Sequence, residues 1–228
     1  MKPDIPFILD SIEKKRTVLA YKGINDGLEF GQLDQSKLKA DWFYLCSMVG
    51  KSFTALKQLA HYARDNHIKI LFNPSNYLAE KGSSCLAPIL NNTSILILNQ
   101  EEASHLVGKG KPLEKLKKLK SLGPRIVVIT DGSKLVHCLD QNNTYYMLYP
   151  QDIKVVEVTG AGDSFASSFL GAHILGCEVE KCLKIALANS QSVLQYKGAK
   201  RKLLTFTEAE EYILKHPPKV DKVNPSDI

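Results

Sequence analysis

A run of small residues beside a carboxylate is the part of this sequence best suited to phosphoryl chemistry. The run is Thr159-Gly160-Ala161-Gly162-Asp163, and the residues after it predict a helix that begins near Gly162. Gly160, Ala161 and Gly162 leave backbone N–H groups unshielded, and free N–H groups at a helix start attract phosphate. Asp163 beside such an anion hole could accept the proton of an attacking hydroxyl. The run therefore predicts phosphoryl transfer to an alcohol, with Asp163 as the general base.

A structural interpretation competes for Asp163. A carboxylate in the first turn of a helix usually acts as a cap that complements the helix dipole. A cap needs neither the Gly-Ala-Gly segment before it nor the small side chains of Ser164 and Ala166–Ser168 after it. Because these small residues let the helix approach other backbone or a ligand closely, they favour the catalytic interpretation.

Small or polar residues also stand at the ends of the apolar runs that predict β-strands. They are Ser47 after Trp42–Cys46, Asn73 after Ile68–Phe72, Asn99 after Ile95–Leu98, Thr130 in Ile126–Thr130, and Gly160 after Lys154–Val158. In open parallel sheets ligands bind beyond the carboxyl ends of the strands, so these residues predict one polar rim. Because loops are polar in any case, the pattern alone leaves a binding site and ordinary loops both open.

Predicted strands and helices alternate along the chain. Two further strands, Leu135–Leu139 and Tyr145–Tyr149, follow the Asp131-Gly132 turn as an antiparallel extension. Helical spacing of apolar residues predicts helices over 52–66, 101–107, 113–121, 162–175, 179–195 and 206–215, the last capped by Thr207. Several strands are apolar on both faces. The prediction is therefore an α/β fold in which a mostly parallel sheet is covered by helices on both sides.

Length and composition describe an ordinary globular chain. Its 228 residues are 44% hydrophobic and 24% charged, which is enough to bury a core, and the net charge of +6 suits an anionic small ligand. We predict one domain over residues 1–215 and a loose tail over 216–228, which contains Pro217, Pro218 and Pro225. Five cysteines without a C-x-x-C pair, and no Cys/His cluster with zinc spacing, favour a reduced cytoplasmic protein without a structural metal.

The stretch Val155–Phe165 closely resembles the C-terminal signature of the ribokinase-like, or PfkB, carbohydrate kinases. Further pieces follow in the family's order: Arg16–Tyr21 with Gly23 and Asn25, Asn73-Pro74-Ser75, Asn99–Glu102, Ile129–Gly132 and Gly198-Ala199. The resemblance covers nearly the whole chain. It implies the family's three-layer α/β/α fold, with Phe7–Leu9 and Thr17–Tyr21 as remaining strands of a small β lid.

The resemblance also implies roles for individual residues. Asp163 is the base that activates a sugar hydroxyl, and the backbone of Gly160, Ala161, Gly162 and Asp163 is the anion hole. Asn99 and Glu102 lie near Mg²⁺ and the phosphates of ATP, with Glu102 as the metal residue. The nucleotide contacts implied by the resemblance are Asn99, Thr130, Gly132, Asn189 and Gly198.

Several of these residues have an adequate structural explanation. Asn99 and Glu102 have the spacing of a helix capping box. Asp131-Gly132 is a good hairpin turn. Asn189 lies on an apolar helical stripe, where a buried amide usually bonds to neighbouring backbone. The two kinds of role can coexist at Asn99 and Glu102.

Two departures from the family pattern bear on function. Glu157 stands where the family usually has Asp, so a monovalent-cation site beneath the anion hole is an open expectation. The chain also begins after the region that carries the family's Gly-Gly sugar motif. That start leaves open a partial sequence, a subunit completed by another chain, or a catalytically impaired homologue.

The prediction is an ATP- and Mg²⁺-dependent kinase for a sugar or other small hydroxylated molecule. A nucleoside kinase and a nucleotide-binding remnant or regulatory subunit remain the alternatives, and a homodimer is an open expectation. Gly50-Lys51-Ser52 ends like a phosphate-binding P-loop, but Leu45 stands where that loop needs glycine, so Ser52 is predicted as a plain helix cap. The lysines of 109–120 predict a solvated helix face rather than a nucleic-acid site. No apolar stretch approaches the roughly 20 residues that span a bilayer, so no membrane partner is predicted.

Overall fold

The computed structural model describes residues 5–10, 16–21 and 23–227. The strands are β1 Ile5–Asp10, β2 Arg16–Tyr21, β3 Trp42–Cys46, β4 Lys69–Asn73, β5 Ile95–Asn99, β6 Ile126–Thr130, β7 Val136–Leu139, β8 Tyr145–Leu148 and β9 Val220–Val223. The helices are α1 Gly50–Asp65, α2 Asn76–Ala79, α3 Gly82–Leu90, α4 Gln100–Val107, α5 Pro112–Lys120, α6 Ala161–Ile174, α7 Val179–Leu194 and α8 Phe206–Lys215.

Strands β3 to β9 form one seven-stranded sheet in sequence order. β3, β4, β5 and β6 are parallel, whereas β7, β8 and β9 continue the sheet as antiparallel strands. The register pairs Cys46 with Asn73 and Asn99 with Thr130. The carboxyl ends of the parallel strands therefore lie side by side at one edge, as the sequence predicts.

Helices cover both faces of this sheet. Alternate strand residues point to opposite sides: Leu96 and Leu98 pack in the core under α1, α3, α4 and α5, and Ile95 and Ile97 pack under α6, α7 and α8. All four side chains are buried. The fold is the predicted three-layer α/β/α arrangement, with a hydrophobic core on each side of the sheet.

The amino-terminal strands β1 and β2 form a separate antiparallel pair, in agreement with the two lid strands expected there. The segment after them is held to α1. The amide of Leu28 donates to Oγ of the fully buried Ser52 at 2.8 Å. A Cβ on Gly50, whose φ is +58°, would lie 2.9 Å from the carbonyl oxygen of Asp26. Ser52 is thus not the predicted helix cap, because the N-cap residue of α1 is Val49. The Ser52 hydroxyl instead accepts the amide of Leu28, 24 positions earlier in the chain.

Other local expectations need correction. Residues 154–158 form no strand, and Val155, Val156 and Val158 are each about half exposed. The tail predicted to be loose contains β9, which pairs antiparallel with β8. The cap of α8 is Thr205 rather than Thr207, because the Thr205 side chain accepts the amide of Glu208. Helices α2 and α3 were not predicted. Over the part of the chain that the structure describes, no helix is long and apolar enough to cross a membrane.

Candidate active site

The start of α6 carries two backbone amides that donate to no group among the residues that the structure describes. Gly160 precedes the helix in a left-handed conformation, with φ of +85°. The Ala161 amide has a long contact of 3.4 Å to the Val158 carbonyl, and the Ser164 amide donates to the Gly160 carbonyl at 2.9 Å. Within the described ranges, the amides of Gly162 and Asp163 donate to no protein acceptor, and both residues are exposed. Two N–H groups therefore point away from the helix start into solvent, where they could bind an anion.

A loop from another part of the chain fixes this helix start. A Cβ on Gly160 would lie 2.2 Å from the carbonyl oxygen of Ala199, so only glycine permits this approach. The amide of Gly198 donates to Oε2 of Glu157 at 2.8 Å. The loop around Gly198 thus contacts both Glu157, in the segment before the helix, and Gly160, its N-cap residue.

The first turn of α6 is also tied to α7. Oγ of Ser190 donates to the carbonyl oxygen of Ala161 at 3.0 Å, and Oγ of Ser164 donates to the same oxygen at 2.9 Å. Ser164 is buried and Ser190 nearly so. Because small hydroxyl side chains occupy these positions, the two helices approach closely and the free amides are held rigidly.

The carboxylate of Asp163 lies near the carboxyl end of β3, close enough for its charge to act on Tyr44 and Cys46. Burial raises the pKa of the Tyr44 hydroxyl, and the nearby Cys46 thiol and Asp163 carboxylate raise it further. Burial also raises the pKa of Cys46, with an additional contribution from the negative charge of Asp163. The Tyr44 hydroxyl has a long contact of 3.4 Å to Oδ1 of Asn73, at the end of β4. Asp163 therefore lies above the strand ends rather than inside the core.

Asn99 and Glu102 form the capping box at the start of α4. Oδ1 of Asn99 accepts the amides of Glu101 and Glu102 at 2.9 Å each, and Oε2 of Glu102 accepts the amide of Asn99 at 2.8 Å. Glu102 is only 7% exposed. Burial raises its pKa to about 7, the Asn99 amide opposes the shift, and the charge of Glu101 adds to it. The predicted capping box is thus present. It uses Oε2 of the buried Glu102 carboxylate and leaves Oε1 without a described donor.

Two buried acceptors, at the starts of α2 and α4, have no partner in the part of the chain that the structure describes. Oδ1 of Asn76 and Oε1 of Gln100 are inaccessible to solvent and accept no hydrogen bond from the described residues. The Nδ2 of Asn76 donates to Glu101 at 2.9 Å, which joins α2 to α4. Neither residue was predicted from the sequence. The signal for both was their position just after the carboxyl ends of β4 and β5.

The other residues predicted to contact the nucleotide fall into two places: Thr130 and Gly132 lie at the end of β6, whereas Asn189 lies on α7. Thr130 ends β6 beside Asn99, and its hydroxyl contacts the Leu98 carbonyl at 3.5 Å. Gly132 follows with φ of +57°, and no atom lies within 4 Å of the position that a Cβ would occupy. Asn189 is buried, and both ends of its amide bond to the backbone of Leu204 at 3.0 Å. The structural alternative therefore accounts for Asn189, whose hydrogen-bonding atoms face the Leu204 loop rather than the strand ends.

The residues at this edge fit a magnesium ion that is carried by phosphates. Among the described residues, no group of three or more His, Cys, Asp and Glu side chains could hold a metal by itself. Mg²⁺ commonly binds through one or two carboxylates, phosphate oxygens and water. Glu102 supplies one such carboxylate, and its Oε1 has no donor within the described segments. Oε2 of Glu157 accepts the Gly198 amide. The Glu157 carboxylate therefore positions the Gly198 loop, whether or not a monovalent cation binds nearby.

Comparisons with known proteins agree with this fold. The family model described as "pfkB family carbohydrate kinase" matches residues 7–205. An uncharacterized sugar kinase of Archaeoglobus fulgidus is 27% identical over 82% of this chain and 75% of its own length. A nucleoside kinase of Methanocaldococcus jannaschii is 29% identical over 64% of this chain, which spans about half of that relative.

Solved structures share the fold. A ribokinase from Thermotoga maritima superposes with a TM-score of 0.79 at 19% identity, covering 92% of this chain and 69% of that protein. A putative ribokinase II from E. coli, solved in complex with ATP and Mg²⁺, superposes with a TM-score of 0.75 at 20% identity, covering 89% and 68%. At such identities the likeness concerns the architecture.

Proposed function

The chain belongs to the pfkB family of carbohydrate kinases, and on that premise we propose that it transfers the γ-phosphoryl group of ATP to a hydroxyl of a sugar or nucleoside. The observation that carries the proposal is the start of α6. The amides of Gly162 and Asp163 have no protein acceptor within the described ranges, and an exposed carboxylate stands beside them. This combination suits a migrating anionic group and the alcohol that receives it.

In the proposed reaction the Asp163 carboxylate accepts the proton of the substrate hydroxyl. The hydroxyl oxygen then attacks the γ-phosphorus in line, the bond to the β–γ bridging oxygen breaks, and ADP leaves. The amides at the start of α6 donate hydrogen bonds to the phosphoryl oxygens during the transfer. Their positions are set in advance by Gly160 and the Ala199 backbone, so little reorganisation is needed.

The nucleotide is proposed to lie along the edge formed by the ends of β5 and β6 and the loop at Gly198. Thr130, Gly132 and Gly198 offer small surfaces for the close approach of phosphates and adenosine. Glu102, with Asn99, would hold Mg²⁺, which supplies neutralisation of the phosphate charge when it is bound. The E. coli neighbour with ATP and Mg²⁺ supports these cofactors for the family.

The acceptor is proposed to be a small polyol, and the relatives support two classes. The Archaeoglobus relative is named a sugar kinase, and the Methanocaldococcus relative a nucleoside kinase. Tyr44 and Cys46 lie within reach of the Asp163 charge, and with Ser47, the next residue in the chain, they are proposed to line the acceptor site. A coupled ADP-release assay with a panel of pentoses, hexoses and nucleosides identifies the class.

A nucleotide-binding remnant is the competing function. Calorimetric titration with Mg·ATP, run beside the acceptor panel, separates the two. Binding together with turnover on one acceptor supports the kinase. Binding without turnover on any acceptor favours the remnant, and absence of both contradicts the whole assignment.

A cytoplasmic location and a homodimer belong to the same proposal. Cell fractionation tests the location, and light scattering on the purified chain tests the oligomeric state. Neither result changes the chemistry proposed for Asp163.

A further inference from the structure

A cavity of about 220 Å³ lies at the opposite end of the parallel strands from Asp163. Trp42, Lys69 and Ile95 are the first residues of β3, β4 and β5, and all three line it. His173, near the carboxyl end of α6, closes one side. Asp163 stands ten positions earlier on that helix, about 15 Å away at the usual rise per residue. The cavity is thus separate from the candidate active site.

Two positively charged side chains line this cavity. Lys69 and Arg125 both line it and both are exposed. Neither side chain forms an ion pair or a hydrogen bond with any residue that the structure describes. No Asp or Glu is among the lining residues. Cations gathered around a concave surface without a carboxylate create a positive potential that favours an anion.

Neutral donors accompany these charges. The hydroxyl of Ser94 and the side-chain amide of Gln141 line the cavity, and neither bonds to another described group. The His173 ring meets Trp42 edge to face, with ring centres 5.5 Å apart. Burial and the Lys69 ammonium both lower the pKa of His173, so the neutral ring can donate one hydrogen bond. Ser94, Gln141 and His173 therefore add uncharged hydrogen-bonding groups.

The rest of the wall is apolar. The buried side chains of Ile95 and Ile126 form the floor, and the Trp42 ring stands beside them with the Lys69 ammonium 5.4 Å from its centre. Such a wall suits the carbon skeleton of a small molecule rather than an inorganic ion alone. The cavity volume of about 220 Å³ leaves room for a phosphate group with a short carbon chain.

From these observations we propose that the cavity between the amino ends of β3–β6 and His173 is a binding site for a small phosphate ester. The phosphate group, with a charge near −2, matches the Lys69 and Arg125 pair. Ser94 and Gln141 donate to its remaining oxygens, and the carbon chain contacts Trp42 and the isoleucine floor. The site is independent of the nucleotide and acceptor sites at the other end of the sheet.

Trp42 provides a direct test, because it is the only tryptophan of the chain. Its emission is measured while glycerol 3-phosphate, inorganic phosphate or glycerol is added at constant ionic strength. Calorimetric titration with the same three probes gives the affinity without relying on the ring. We expect saturable binding of glycerol 3-phosphate, weaker binding of inorganic phosphate and none of glycerol.

Variants assign the binding to this cavity. Lys69→Met and Arg125→Met should each weaken glycerol 3-phosphate binding about tenfold, as expected for the loss of one charge-assisted contact. Lys118→Met, at an exposed position of α5, is the matched control and should leave the affinity unchanged. Thermal unfolding without ligand checks that each variant is folded.

Other outcomes overturn the proposal. Absence of saturable calorimetric binding refutes the site. Equal affinity in wild type and in the folded Lys69→Met and Arg125→Met variants places the binding elsewhere. If inorganic phosphate binds as tightly as glycerol 3-phosphate, the site recognises the free ion and the proposed ester specificity is wrong.

Discussion

The Cα of Gly160 and the carbonyl oxygen of Ala199 approach so closely that a Cβ on Gly160 would lie 2.2 Å from that oxygen. The two residues are far apart in sequence, with α6 and α7 between them. The contact seats the loop after α7 on the start of α6, where the free amides lie. The geometry of the proposed anion hole therefore depends on a glycine that does not itself need to contact substrate.

Gly160→Ala should displace this loop and distort the anion hole. The added methyl group meets backbone rather than a flexible side chain, and φ of +85° is unfavourable for alanine. We expect a loss of a few kcal/mol of unfolding free energy, since strain at a left-handed position and overpacking each cost about 1–3 kcal/mol. Turnover should fall by more than tenfold, and urea unfolding with kinase assays measures both.

The matched control is Gly171→Ala in the same helix. A Cβ there meets nothing within 4 Å, so alanine should stabilise the helix by about 0.5–1 kcal/mol. Equal tolerance of alanine at both positions would contradict the role assigned to Gly160.

Asp163→Asn should remove the proposed base and spare nucleotide binding. Loss of a general base usually lowers turnover by about 10²–10⁴-fold. The Kd of Mg·ATP should change little, because the amides that bind the phosphates belong to the backbone. Asp65→Asn, at an exposed position at the end of α1, is the control. A near-normal rate in Asp163→Asn would remove this residue from the base role.

Glu102→Gln should weaken the use of magnesium. Glutamine keeps the hydrogen bond to the Asn99 amide, so the capping box survives while the carboxylate is lost. We expect the Mg²⁺ concentration needed for half-maximal activity to rise roughly tenfold, the scale of change when support of a metal site is removed. Glu80→Gln, on an exposed surface, is the control. An unchanged magnesium profile would leave Glu102 with capping alone.

The same variant should change how stability depends on pH. Glu102 has a pKa of about 7 in the folded chain against 4.5 for an ordinary Glu, so the folded protein binds the extra proton between these values. The stability that the protonated Glu102 contributes to the folded protein is fully present below about pH 4.5. It is lost as the pH rises through 7, where Glu102 ionises in the fold. Relative to wild type, Glu102→Gln should therefore gain up to about 3 kcal/mol between pH 5 and pH 8. Urea unfolding at both pH values checks it, and a parallel response of wild type and variant would contradict the shift.

Asn189→Ala should destabilise the chain by about 1–3 kcal/mol, because it leaves the partly buried amide and carbonyl of Leu204 without these partners. The loss should appear in urea unfolding. Affinity for Mg·ATP, measured by calorimetry at a temperature where the variant is folded, should be nearly unchanged. A large drop in nucleotide affinity with normal stability would restore Asn189 as a ligand contact.

Local patterns in the sequence predicted much of the site. Asn99 and Glu102 are three residues apart after an apolar run, and that spacing alone specifies a capping box. The glycines before Asp163 predicted a helix start with open amides. These features depend on neighbours within one helical turn, so no knowledge of the rest of the chain is needed.

One predicted strand is absent and one strand was not predicted, because a strand requires a partner. Val155, Val156 and Val158 have good strand propensity, yet this segment pairs with no strand and their side chains are about half exposed. Residues 220–223 carry a weak pattern, but the open edge of β8 gives them hydrogen-bonding partners. Whether an edge is free to pair depends on the order of strands in the folded sheet.

The sequence by itself determined the alternation of strands and helices, the glycine-rich helix start and the carboxylate at position 163. Only the tertiary structure decided that Ala199 packs on Gly160, that Gly198 bonds to Glu157, and that Asn189 holds Leu204. It also brought Trp42, Lys69 and Arg125 together at the far end of the sheet. The physical reason is distance along the chain. Propensity and capping depend on residues within a few positions of each other, whereas these contacts join residues that become neighbours only when the chain folds.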